Sequence, residues 1–135
     1  HDDKLVRALR PNSKTVRGHG LQETITTLFG LPDHRRKELV QFCENLPYML
    51  VLSDTKGEKQ IVLSHAGVRA RDIGRRDDKA VRAHCIYGQV EGFHPGGLPI
   101  RGTSWTTEYE TGSLIAVYGH TPVSEVLELN NTFNV

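Results

Sequence analysis

The chain has 135 residues, enough for one domain with a buried core. Its hydrophobic content of 37%, charged content of 24% and net charge of +1 with neutral histidines are those of a slightly polar globular protein, and exclude a global field for nucleic acid or membrane. No apolar run approaches the ~20 residues of a membrane span and no signal peptide is visible, so the expected location is cytoplasmic.

The first residue is His1 rather than Met, inside what already reads as the start of a helix, and the chain stops at Asn134-Val135 inside an apparent strand. Both ends read as cuts through a larger domain, so residues 1–135 are expected to be one incomplete domain. Asp2 or Asp3 can cap a helix over Lys4 to Leu9, ended by Pro11-Asn12-Ser13. Thr15 to Arg17 reads as a short strand. Helices are expected over Gln22 to Phe29 and Asp33 to Asn45, the second with Asp33 as cap and Leu39, Val40, Phe42, Cys43 and Leu46 on its apolar face.

Tyr48 to Ser53 and Gln60 to His65 form a predicted hairpin around Asp54 to Lys59. The aliphatic run Ile61-Val62-Leu63 reads as a strand buried on both faces. A helix follows over Asp77 to Cys85, with Ala80, Val81, His84 and Cys85 inward, and then a long glycine- and proline-rich loop from Gly88 to Gly102. Leu114 to Tyr118, Val126 to Leu129 and Thr132 to Val135 are three further strands. Cys43 and Cys85 lack CxxC spacing and read as thiols of a reducing compartment, not as a disulfide.

Two strands end alike. Gln60 to Ser64 runs into His65-Ala66-Gly67, and Leu114 to Tyr118 into Gly119-His120-Thr121-Pro122. In open α/β sheets ligands bind beyond the carboxyl ends of strands. His65 and His120 are therefore candidate metal ligands, since imidazole suits Zn, Mn, Fe and Ni alike. His1 beside Asp2 has the makings of a proton donor with an orienting carboxylate. Arg101 is either a phosphate clamp or a surface arginine, and Trp105 and Tyr109 either stack on a base or anchor their loop. His34, His84 and His94 read as structural or solvent-facing, while His19 carries no assignment.

His1-Asp2, His65-Ala66-Gly67 and Gly119-His120-Thr121-Pro122, in that order, resemble the later motifs of the PPP-type, calcineurin-like metallophosphatases. Arg69 to Gly74, Ile86-Tyr87-Gly88, Gly97 to Arg101, Tyr118 to Val123 and Asn130-Asn131-Thr132 resemble the bacterial subgroup containing the asymmetrical bis(5'-nucleosyl)-tetraphosphatases. They also resemble the phosphatase domain of bacterial polynucleotide kinase-phosphatases.

The resemblance implies a metallophosphatase, a hydrolase of phosphoric esters or anhydrides that uses two divalent ions, Mn with Fe, Zn or Ni as alternatives. His65 and His120 would be ligands of the second ion, His1 the proton donor to the leaving group with Asp2 beside it, and Arg101 a phosphate contact. The substrate class implied is a dinucleoside polyphosphate or a phosphoprotein, with no membrane partner. Nucleic-acid ends are the substrate under the kinase-phosphatase alternative, a 2',3'-phosphatase. A non-catalytic binding remnant is the alternative of another class.

The Gly-Asp-x-His-Gly and Gly-Asp-x-x-Asp-Arg-Gly motifs of that family are absent from residues 1–135. The 135-residue chain is accordingly expected to be the C-terminal part of such a domain and inactive alone. The implied fold is an α/β sandwich of two mixed sheets flanked by helices, its first strands missing. Their absence is expected to leave an open apolar edge along Ile61 to Leu63.

Overall fold

A computed structural model describes residues 2–10, 13–15, 18 and 20–135, and for Asp2 the backbone only. The chain divides into two units, His1–Leu46 and Pro47–Val135. The first is helical: α1 (Asp2–Ala8), α2 (Leu21–Phe29) and α3 (Asp33–Asn45). All three expected helices are present.

Ala8, Leu21 and Ile25 form a small core, with Leu5 and Leu9 packed against it. Helix α2 stops at Gly30, whose N–H reaches the carbonyls of Thr26 and Thr27. The apolar face expected of α3 is not buried; Phe42 is 62% exposed. An amphipathic stripe is hidden only where another apolar layer faces it, and the core of this unit is built instead from α1 and α2. Asp33 is the first residue of α3 rather than its cap, which is Pro32. Thr15 is not in a strand; Val16, Arg17, His1 and His19 lie outside the described residues.

The second unit carries a five-stranded mixed sheet in the order β1-β2-β5-β7-β6, from β1 (Met49–Ser53), β2 (Gln60–Ser64), β5 (Leu114–Tyr118), β6 (Leu127–Leu129) and β7 (Thr132–Asn134). β1 with β2 and β6 with β7 are antiparallel, while β2 with β5 and β5 with β7 are parallel. The β1–β2 turn closes with Asp54 N–H on the Lys59 carbonyl at 3.0 Å and the Asp54 carboxylate accepting from Glu58 N–H at 2.8 Å.

β2 therefore lies between two partners, and the open edge expected at Ile61 to Leu63 is not there. The short hairpin turn folds β1 onto that side and satisfies its backbone. Nor is β2 buried on both faces. Val51, Val62 and Ala116 share one face by register, continued by Tyr118 and Asn134; the interior packs on it. Leu50, Leu52 and Ile61 lie on the other face and are at least one-third exposed.

The packed face is covered by α4 (Lys79–Tyr87) through Val81 and Cys85, and by Val68, Trp105 and Tyr109. Asp78 caps α4, its Oδ1 accepting from Ala80 N–H at 2.8 Å and Val81 N–H at 3.2 Å. These amides hold its carboxyl below the ordinary range. The cap places α4 two residues later than expected, with Ala80 exposed.

The expected loop at 88–102 is in fact a hairpin of β3 (Gln89–Phe93) and β4 (Pro99–Gly102), a separate two-stranded sheet with an irregularity between Val90 and Gly92. His94 and Gly97 form its turn, Gly97 N–H reaching the His94 carbonyl at 2.8 Å. The glycines and prolines serve the turn and the bulge rather than a structureless loop. Residues Ala70–Asp72 and Ser104–Tyr109 are short 3-10 helices, neither foreseen.

Candidate functional site

β2 and β5 are parallel neighbours, so their carboxyl ends lie side by side. His65 follows β2 at once and His120 follows β5 after Gly119. The two turns are tied by Gly119 N–H donating to the His65 carbonyl at 3.0 Å. Nδ1 of His120 then stands 2.9 Å from Nε2 of His65, the rings edge-on at 72° with centroids 4.8 Å apart.

The His120 backbone is forced. Thr121 N–H donates back to the Gly119 carbonyl at 2.8 Å across a three-residue turn, and His120 at its centre has φ 70°. A positive φ at a non-glycine residue costs of order 1–3 kcal/mol. Asn134 restrains this turn, its Nδ2 donating to the Thr121 carbonyl at 3.1 Å. Val135 N–H donates to the Tyr118 carbonyl at 2.8 Å just before it.

Arg101 is half-buried on β4, its Nη1 donating to the Tyr87 carbonyl. It lines a cavity of about 130 Å³ with His120, Tyr118, Trp105, Gln89 and Asn134. Loss of water around the His120 ring, then the Arg101 and His65 charges, lower its pKa from the ordinary histidine value. His120 thus favours the neutral imidazole that either a shared proton or a cation requires.

Two nitrogens 2.9 Å apart can each sit about 2.1 Å from a common ion when the angle at that ion is about 90°. A neutral imidazole pair is a donor set for a borderline divalent ion. The carboxamide Oδ1 of Asn134, buried in the same cavity, has no hydrogen-bond partner among the described residues. The residues present fit part of a coordination shell. Among the described residues no group of three or more His, Cys, Asp and Glu side chains comes together.

Of the five residues singled out from the sequence, three meet in one unit: His65, His120 and Arg101. His1 lies outside the described residues, and Asp2 opens α1 with its side chain undescribed. Asn134 was missed. Its signal was a polar residue at an inward position of β7, in register with Tyr118.

No family model matches the chain. Among curated proteins it is similar to proteins named bis(5'-nucleosyl)-tetraphosphatase PrpE, asymmetrical, from Bacillus cereus and Bacillus thuringiensis. Each is 36% identical over 140 residues, a match that takes in all of this chain and 54% of the relative. The chain spans about half the length of the curated relatives it matches. No helix among the described residues is long and apolar enough to cross a membrane.

Proposed function

We propose that this chain is the metal- and phosphate-gripping part of an asymmetrical bis(5'-nucleosyl)-tetraphosphatase, a hydrolase of the phosphoanhydride bond in a dinucleoside polyphosphate. The observation that carries the reading is the His120–His65 pair, Nδ1 to Nε2 at 2.9 Å beyond two parallel strands. The names of relatives at 36% identity support the same chemistry. The fold that goes with it is the calcineurin-like sandwich of two mixed sheets.

In this reading His65 and His120 hold one of two divalent ions, with Mn favoured over Fe, Zn or Ni. A divalent ion at such a site supplies Lewis acidity toward a phosphoryl oxygen. His120 favours its neutral form, and the strand ends already hold the two rings side by side before a cation arrives. Arg101 adds a guanidinium on the cavity wall, the group best suited to a phosphate. His1 is the proton donor to the leaving oxygen, with Asp2 beside it in sequence, on the strength of the motif alone.

Titrating Mn²⁺ into the 135-residue chain tests the pair. Paramagnetic broadening is expected at the His65 and His120 ring signals, and its loss in His65→Ala and in His120→Ala. Broadening centred elsewhere would sink the assignment. Two imidazoles cannot assemble a two-ion centre, so no hydrolysis of a dinucleoside tetraphosphate is expected from these 135 residues with Mn²⁺ added.

A further inference from the structure

A second cavity, about 390 Å³, lies in the same unit and is walled by Arg69, Arg71, His84, Gln89, Ser104 and Trp105, with Glu108 at one side. Gln89 and Trp105 also wall the cavity that contains His120 and Arg101, so the two spaces are neighbours. The second is the larger, within the range of small-molecule sites.

Its walls are donors. Arg69 uses Nε to reach the Asp72 carboxylate at 2.6 Å, and Arg71 uses Nη1 to reach Glu108 at 2.7 Å. A guanidinium has five N–H groups, so both retain donors beyond these bonds. Gln89 and Ser104 are held together at 2.8 Å, which fixes two more polar groups on the wall. Two guanidiniums stand against the single lining carboxylate, Glu108. Most telling is His84: its Nε2 is buried with no hydrogen-bond partner among the described residues, while its ring stands edge-on to Trp105 at 5.8 Å. A buried ring nitrogen without a partner is costly. The ring lines the cavity, so a small turn of it toward that space would let a ligand bond the nitrogen and recover that cost.

We infer that this cavity is a phosphate subsite, bound by Arg69, Arg71 and His84, that holds a phosphate of the substrate other than the one attacked. That the phosphate belongs to a substrate rests on the hydrolase reading above; the anion site itself does not. A polyphosphate chain carries several phosphates, and a site adjoining the His120 cavity is where the next ones fall. Arg69 and Arg71 would take non-bridging oxygens, and His84, its ring turned toward the cavity, would donate from Nε2 as its N–H tautomer.

The test is a titration of the 135-residue chain with ADP and, separately, with inorganic phosphate, both in EDTA so that no metal centre is involved. Ring signals of His84 and the indole signal of Trp105 are expected to move with both ligands. ADP is expected to weaken at least tenfold in Arg71→Gln and in His84→Gln, each checked for an unchanged amide spectrum elsewhere. Leu52→Ala, on the opposite sheet face, is expected to bind as the parent does. Movement confined to His65 and His120, or none at all, overturns the subsite. Binding of inorganic phosphate without ADP assigns the cavity to a free anion and overturns its place in substrate binding. Loss of the Mn²⁺ effect at His65 and His120 with ADP binding intact would count against the hydrolase reading alone.

Discussion

A β-carbon placed on Gly67 would stand 2.5 Å from the indole of Trp105. The His65-Ala66-Gly67 turn thus passes directly over a ring of the core. Gly67 also has φ 112°, a backbone region that side chains strain to reach. Trp105 is 4% exposed and meets Tyr118 and Tyr109 edge-on at 5.0 and 5.9 Å, so two rings of the core hold it in place.

Gly67→Ala is therefore expected to lose about 2–4 kcal/mol of stability from strain and overpacking together. Urea unfolding followed by Trp105 fluorescence measures it. A midpoint equal to the parent's would show that the ring yields freely.

Tyr109 is the deepest large side chain, 1% exposed, and its hydroxyl donates to the Val68 carbonyl at 2.8 Å. This bond ties the Ser104–Tyr109 helix to the segment just after the Gly67 turn. Tyr109→Phe keeps the ring and leaves that carbonyl without its donor, for an expected loss of about 1–3 kcal/mol. Denaturant midpoints of the two proteins decide it, and a change below ~0.5 kcal/mol would mean that water replaces the hydroxyl.

The two thiols differ in environment. Cys85 is fully buried on α4, and burial pushes its pKa up to about 12; Cys43 lies half-buried on α3. The reactive species is the thiolate, so Cys85 is inert in the folded protein. A chromogenic disulfide reagent is expected to count one thiol in the native chain and two in guanidinium. Two rapid native thiols would contradict the packing of α4 on the sheet.

Burial, followed by the Arg69 charge, lowers the pKa of His84 from its ordinary value. A histidine whose folded pKa is depressed binds fewer protons folded than unfolded. The stability it confers is full above the ordinary histidine pKa of about 6.5 and is lost as pH falls through the lower folded value. Between pH ~7 and ~5 the parent is expected to lose more stability than His84→Gln, which cannot titrate there. Urea midpoints at the two pH values give the comparison, and an equal or larger drop in the variant would contradict it.

The local grammar of this protein was legible in its residues. Helices over 22–29 and 33–45 were predicted from apolar spacing and from the glycine and proline that end them, and they lie within a residue of those limits. The strands before His65 and His120 followed from aliphatic runs of β-branched residues, and the ordered histidine motifs pointed to the pair that the fold brings within 2.9 Å. Such features depend on neighbours a few residues away, which a linear reading contains.

Tertiary structure alone decided the rest. That β2 is paired on both sides, that 88–102 is a hairpin, and that no residue of the apolar face of α3 is fully buried all depend on what another part of the chain supplies. Asn134 and His84 gain their interest in the same way. Each is an ordinary polar residue in sequence, and comes to carry a buried atom lacking a partner among the described residues only in the packed structure. Burial and unmet hydrogen bonding belong to the packed interior, where desolvation makes a single ring nitrogen costly, and no local pattern encodes them.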